Sequence, residues 1–227
     1  MFTSISTFIR RMRCSHQNRK FLREVGFGQR PYTDAREVWQ CPDCGAYLYK
    51  KTLTPRVFSF DVESNGLYGQ GFMIAAVMTN AAGVQKEFVA RCAIEGPIDP
   101  WVAENVLPHV EDVSVTHDSY EAMLEAFYAF YMTNKMGTKI IAHMAFPVEA
   151  KLLRDMIELN LGERLWEGPF PLIDVSGVLD AQGFDPTSVD SYNKDHGLIV
   201  PFDGVTHHPM YDSLAAEICY RNLTDAW

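Results

Sequence analysis

The sequence is poor in cysteine and has no long apolar run. Its 227 residues include five Cys, and no stretch of 18 consecutive apolar residues occurs. The missing stretch predicts a protein without a membrane span. An odd number of Cys, in a chain whose start lacks the apolar core of a secretory signal, argues against a disulfide framework. It favours a reducing compartment.

Acidic residues are absent before Glu24, and the charge is unevenly distributed. Residues 1–51 hold ten Lys/Arg against four Asp/Glu, although the whole chain has a net charge of −9. A basic segment on an acidic remainder predicts two modules with different tasks. We place them at residues 1–53, here called the head, and 54–227, here called the body. Pro55 favours an extended joint between them.

The body alternates strand-like and helix-like segments. Strands are predicted at "RVFSFDV", "GFMIAAVMT", "KEFVARC" and "TKIIAH". Helices are predicted at "DSYEAMLEAFYAFYMTNK", with Asp118 as its N-cap, and at "VEAKLLRDMIELNLG", closed by Gly162. Further helices are predicted at "SVDSYNKDHG" and "MYDSLAAEICYRNL". This order predicts an α/β domain with one mixed sheet flanked by helices.

The first strand of the body ends with two acids, in "SFDVESNGL". Asp61 and Glu63 are two residues apart, so their side chains point to one face while Val62 points to the other. Two like charges at a strand end are costly unless something neutralises them. Either a hard cation such as Mg²⁺ or Mn²⁺ binds them, or they form a solvated strand end.

Two further segments offer partners for that pair. In "HHPMYD", His207 precedes Asp212 by five residues, and Asp212 begins a helical pattern. Histidine titrates near neutrality, which suits a general base acting on water. In "IAHMAFPVEAKLL", Glu149 falls in the first turn of a predicted helix. Taken alone, the first segment is better explained by surface histidines and an acid favoured by the helix dipole, and Glu149 can be an ordinary acid of a first helical turn.

Taken together, these segments resemble the motifs of the DEDDh 3′–5′ exonucleases. "FDVESNGL" is similar to D-x-E-T-x-G-L, "HHPMYDSLAA" to H-x-A-x-x-D-A-x-A, and "IAHMAFPVEAKLL" to H-N-A-x-F-D-x-x-F-L. The resemblance covers about residues 55–225 and implies a ribonuclease H-like fold. In the middle motif Glu149 takes the place of the usual Asp, at the cost of one inserted residue.

The resemblance also implies a mechanism with two Mg²⁺ or Mn²⁺ ions. Asp61 would bridge the ions, Glu63 and Asp212 would hold the ion with the attacking water, and Glu149 would serve the other ion. His207 would take the proton, and a nucleoside 5′-monophosphate would leave from the 3′ end of a single-stranded or frayed nucleic acid. The residues expected to contact the terminal nucleotide or line the cleft are Ser64, Leu67 and His143.

The head contains four candidate ligands for one zinc ion. They are Cys14, His16, Cys41 and Cys44, in "CSH" and "CPDCG", and the arrangement resembles small zinc-ribbon modules. Unpaired reduced thiols are the alternative, and a redox pair is a weaker one. The basic and aromatic residues nearby suit nucleic-acid contact, a protein-binding surface or a solvated face: Arg10, Arg11, Arg13, Arg19, Lys20, Arg23, Phe21, Tyr32 and Trp39.

Three functions therefore stand as hypotheses. The first is a metal-dependent 3′–5′ exonuclease acting on DNA or RNA, with the head gripping the substrate and the cytoplasm of a bacterial or phage-infected cell as its location. The second is a catalytically impaired binding module that keeps the fold. The third is an endonuclease of the same fold, which the spacing of His207 and Asp212 disfavours because the resemblance ties it to the exonuclease branch.

Overall fold

The computed structural model describes residues 14–25, 36–51, 56–80 and 83–224. The joint predicted at Pro55 lies outside them. The strands are β1 Lys20–Val25, β2 Arg36–Gln40, β3 Tyr47–Lys51, β4 Arg56–Ser64, β5 Gly71–Thr79, β6 Gln85–Arg91, β7 Thr138–Ala142 and β8 Leu172–Asp174. The helices are α1 Pro100–Asn105, α2 Tyr120–Asn134, α3 Val148–Glu158, α4 Leu161–Arg164, α5 Val175–Ala181, α6 Val189–Asp195 and α7 Pro209–Leu223, with one 3₁₀ turn at Leu107–His109.

Five strands of the body form one mixed sheet in the order β6-β5-β4-β7-β8. The pairs of β4 with β5 and of β5 with β6 are antiparallel, whereas β7 pairs in parallel with both β4 and β8. All nine residues of β5 are buried, as expected for an inner strand covered on both faces. The predicted mixed sheet flanked by helices is confirmed.

Two apolar layers hold helices against opposite faces of this sheet. One layer packs α2 and α3 on Phe58, Phe60 and Val62 of β4. The other packs α5, α6 and α7 around Val57 of the same strand. The alternation along β4 therefore sends odd-numbered side chains towards α7, which fixes the side of the sheet on which Asp61 and Glu63 lie.

The helix ends correct two expectations. The N-cap of α2 is Ser119, whose Oγ accepts a hydrogen bond from the Ala122 N–H, so Asp118 is not the cap. Helix α3 ends at Glu158, and Gly162 lies inside the separate short helix α4. The sequence prediction also omitted α1, which begins at Pro100 behind the N-cap Asp99.

The described part of the head contains an antiparallel sheet in the order β1-β2-β3. The turn between β2 and β3 carries Cys41 and Cys44, and it closes with a hydrogen bond from the Gly45 N–H to the Cys41 carbonyl at 2.7 Å. Gly45 has φ +68°, which glycine adopts without steric cost. Across both modules, no helix among the described residues is long and apolar enough to cross a membrane.

Candidate active site

Three carboxylates meet at the end of β4. One oxygen from each of Asp61, Glu63 and Asp212 lies within 4.8 Å of the others. Asp61 and Glu63 come from alternate positions of the strand, and Asp212 comes from the first turn of α7. The packing of α7 across the sheet thus brings Asp212 to the two acids of β4, which lie far from it in the sequence.

The N-terminus of α7 is held firmly in place. The His208 side chain caps the helix by accepting a hydrogen bond from the Met210 N–H at 3.3 Å. The Oγ of Ser213 donates to the Ala75 carbonyl of β5 at 3.1 Å. Because these contacts anchor the first turn to the sheet, Asp212 needs no mobile loop to reach Asp61.

His207 precedes this helix and lines the same cavity as the carboxylates. Its backbone N–H donates to Asp212 Oδ2 at 2.8 Å, and its φ of +72° is in the left-handed region. Burial lowers the pKa of His207, which favours a neutral imidazole at pH 7 with a ring nitrogen able to accept a proton. The structure thus joins His207 to Asp212 through the backbone of the histidine.

Glu149 reaches the same region from the other side. It lies in the first turn of α3, and its Oε1 accepts a hydrogen bond from the Val62 N–H at 3.3 Å. Pairing of β4 with β7 ends at Ser59, so this side of β4 is open beyond that residue. Burial raises the pKa of Glu149 to about 8. Glu149 is close to the three clustered acids but does not belong to their compact group.

The electrostatics of the cluster call for a cation. Burial, followed by the charge of Glu149, raises the pKa of Asp61, and burial together with the charge of Asp61 raises the pKa values of Glu63 and Asp212. Six carboxylate residues line the surrounding cavity, and the described residues of its wall include no Lys or Arg. Hard divalent cations prefer such oxygen ligands, so the donor set fits Mg²⁺ or Mn²⁺.

The cavity has a volume of about 750 Å³. The other predicted contact residues, Ser64, Leu67 and His143, all line it. Leu67 projects from the loop after β4 with 65% of its surface exposed. His143 is held by a 3.0 Å hydrogen bond to the Pro186 carbonyl. The structure therefore brings all the predicted body residues to one cleft.

Sequence reasoning missed several polar and aromatic groups of that cleft, among them Trp101 and Asp190. Trp101 lines it from α1, and Asp190 lines it from α6, where it accepts hydrogen bonds from Thr206 Oγ1 at 2.7 Å and from the Tyr211 hydroxyl at 3.0 Å. The signal for α1 was present in "DPWVAEN", since Asp followed by Pro is a typical helix start.

The four candidate ligands of the head converge as predicted. Their ligand atoms lie within 4.8 Å of one another. The sulfurs of Cys14 and Cys41 are 3.6 Å apart, and Cys44 Sγ is 3.4 Å from His16 Nδ1. A tetrahedral zinc ion requires about 3.8 Å between two sulfurs and about 3.5 Å between sulfur and nitrogen. The distances therefore fit zinc.

The thiol chemistry of the head agrees with that geometry. A hydrogen bond with the His16 side chain lowers the pKa of Cys41 to about 6, which favours the thiolate that metals bind. Of the predicted nucleic-acid contacts, Arg19 and Lys20 are exposed. The others, except Trp39, lie outside the described residues or have undescribed side chains: Arg10, Arg11, Arg13, Tyr32, Phe21 and Arg23.

Comparison with known proteins finds similarity among solved structures but none among protein-family models or curated proteins. No protein-family model and no curated protein matches the sequence. Among solved structures, exonuclease X in complex with 5′ overhanging duplex DNA is similar to this chain with a TM-score of 0.48 and 20% sequence identity, over 75% of this chain and 93% of that chain.

Proposed function

We propose that the protein is a metal-dependent 3′–5′ exonuclease. The observation that carries this proposal is the compact group of Asp61, Glu63 and Asp212 beside His207, in a cavity whose described lining includes six acids and no Lys or Arg. A phosphate could enter such a cavity only together with cations. The 3′–5′ direction and the release of 5′-monophosphates follow from the motif resemblance of these residues.

The residues divide the work in a definite way. Asp61, Glu63 and Asp212 hold the divalent metal, with Glu149 as the acid for a second ion. When bound, such ions neutralise the phosphate and lower the pKa of the attacking water. His207 accepts the proton of that water, for which its lowered pKa and its position beside Asp212 suit it. Asp212 therefore both binds metal and anchors the backbone of the base.

The cleft suits one unpaired terminal nucleotide. Ser64 ends the metal-binding strand and Leu67 lies in the turn directly after it; the Ser64 hydroxyl donates to the Gly66 carbonyl at 2.9 Å to shape that turn. The exposed Leu67 side chain is available to contact the terminal base, and His143 also lines the cleft. Apolar contact with a base tolerates any sequence, which suits single-stranded or frayed ends.

The head, residues 1–53, serves in this proposal as a zinc-stabilised module that contacts nucleic acid next to the exonuclease domain, residues 54–227. Its support is the tetrahedral fit of Cys14, His16, Cys41 and Cys44. A small module with little apolar core gains most of its stability from such an ion.

A second candidate is a binding module that has lost activity. The position of Glu149 favours it, because this acid bonds the Val62 N–H and stands apart from the three clustered carboxylates. Such a protein would bind single strands without shortening them.

Digestion of labelled strands separates the two. Matched single-stranded and frayed DNA and RNA are incubated with the purified protein in Mg²⁺, in Mn²⁺ and in chelator. We expect stepwise shortening that needs the metal and is absent in Asp61→Asn. Metal-independent binding without shortening would support the binding module and contradict the exonuclease.

A further inference from the structure

The imidazole of His207 is oriented by very few contacts. Its backbone is fixed by the hydrogen bond to Asp212, but among the described residues no hydrogen bond reaches either ring nitrogen. A general base must hold one nitrogen within about 3 Å of the proton that it removes. Something other than a hydrogen bond must therefore limit rotation of the ring.

Trp101 supplies that contact. Its indole meets the His207 ring edge to face, with the ring centroids 5.4 Å apart and the planes at 89°. This is a favourable geometry for two aromatic rings. Trp101 is the second residue of α1, and its backbone N–H donates to the Asp99 side chain at 2.8 Å. The start of the helix therefore fixes the backbone that carries the indole.

Helix α1 is in turn tied to the metal-binding strand. Asn65 follows β4 directly, and its Oδ1 accepts a hydrogen bond from the Asp99 N–H at 2.7 Å. The Nδ2 of the same side chain donates to the Pro97 carbonyl at 2.9 Å. Asn65 therefore joins the end of the strand bearing Asp61 to the start of the helix bearing Trp101.

We propose that Trp101 is a positioning residue that orients the imidazole of His207 within the acidic cleft. The proposal rests on the proposed function, since it gives His207 the role of base. The contacts from Asn65, which directly follows β4, through Asp99 to Trp101 fix the position of the indole, and the indole orients the imidazole. Two contacts thereby hold the base in position: its backbone is bonded to Asp212, and its ring packs against Trp101.

A simpler role for Trp101 predicts different kinetics. The indole is 55% exposed in the cleft, and an exposed tryptophan could stack on a substrate base instead. Loss of stacking alone raises KM and leaves the contribution of His207 intact. Loss of orientation lowers kcat, and its effect disappears once His207 has been removed.

A double-mutant cycle measures this difference. With Mn²⁺ and a labelled single strand, we expect Trp101→Ala to lower kcat by about 10- to 100-fold. In a His207→Ala background the same change should lower kcat by no more than about 3-fold. Trp101→Phe should restore most of the rate, and Trp166→Ala, at an exposed tryptophan outside the cleft, should leave it unchanged.

A metal-free measurement accompanies the cycle. The imidazole C–H resonances of His207, assigned by their loss in His207→Ala, should shift in Trp101→Ala because the indole ring current is removed. They should move little in Trp166→Ala. Equal effects of Trp101→Ala with and without His207, or unmoved resonances, would overturn the proposal. If the wild-type protein cleaves nothing, the proposed function fails and this inference falls with it; cleavage with additive effects removes the inference alone.

Discussion

The two candidate metal sites of this protein are built in opposite ways. The head gathers soft ligands from two short segments, 14–16 and 41–44, around one turn. The body gathers carboxylates from a strand and a distant helix across a packed sheet. The body has two extensive apolar layers, whereas the buried apolar residues described in the head are Val38, Cys41 and Cys44. Metal therefore should stabilise the head and activate the body.

The largest effect on activity is expected from removing the Asp61 carboxylate. We expect Asp61→Asn to reduce hydrolysis by at least about 10³-fold, because a central ligand is lost. The melting temperature of the metal-free protein should not fall, since the change removes one charge from a buried acidic cluster. Rate assays and thermal melts check both points. A variant that keeps its activity, or one that unfolds, would contradict the view of this site as catalytic rather than structural.

Removing His207 should separate proton transfer from metal binding within the body. His207→Ala should lower the rate by about 10²- to 10⁴-fold while the affinity for Mn²⁺ stays unchanged, because the histidine moves a proton and holds no metal. Calorimetric titration with Mn²⁺ and single-turnover rates test this. His117→Ala, at a half-buried histidine that does not line the cleft, is the control. Loss of Mn²⁺ binding in His207→Ala would show that the role of the residue has been misassigned.

Removing one thiolate should affect the head alone. Cys41→Ser is expected to abolish zinc binding and make the head sensitive to protease, since metal-binding energy is folding energy in such modules. Hydrolysis of short strands by the body should persist. Zinc analysis and limited proteolysis measure the effect, with Cys92→Ala, a cysteine of the body core, as the control that retains zinc. Zinc-free wild-type protein with a protease-resistant head would contradict the zinc assignment.

The smallest expected effect comes from Glu149 and concerns how the stability of the protein depends on pH. Its pKa of about 8 in the fold exceeds the ordinary value of 4.5, so the folded state binds more protons between these pH values. Stability of the metal-free protein should therefore fall as pH rises from 5 to 8.

Glu149→Gln should remove part of that fall and stabilise the protein at pH 8 by about 2–4 kcal/mol. Denaturant unfolding at both pH values, without metal, provides the measurement. Glu104→Gln, at an exposed acid of α1, should leave the pH dependence unchanged. An unchanged slope in Glu149→Gln would mean that this carboxyl ionises freely inside the fold.

Much of the fold and of the candidate site was accessible from the sequence. The alternation along β4 predicted correctly that Val62 faces the opposite layer from Asp61 and Glu63. Local spacing also located the head cluster, because Cys41 and Cys44 share one turn closed by Gly45. Both predictions rest on short-range geometry, which the order of residues largely determines.

What escaped prediction depends on contacts between distant segments. The hydrogen bond from the Asp99 N–H to the Asn65 side chain joins residues 34 positions apart, and only the folded chain shows it. The separation of Glu149 from the compact group likewise depends on where α3 rests on β4. The cap of α2 was missed for another reason: Asp118 and Ser119 are adjacent and equally able to cap.

The central claim is that the acidic cluster of the body removes nucleotides from a 3′ end. The most direct measurement follows one single strand labelled at its 5′ end and a second labelled at its 3′ end, both in Mn²⁺, with Asp61→Asn alongside. We predict a ladder of shortening 5′-labelled products, immediate release of the 3′ label as a nucleoside 5′-monophosphate, and no reaction with the variant. Immediate release of the 5′ label, internal cuts, or equal activity of Asp61→Asn would contradict the account.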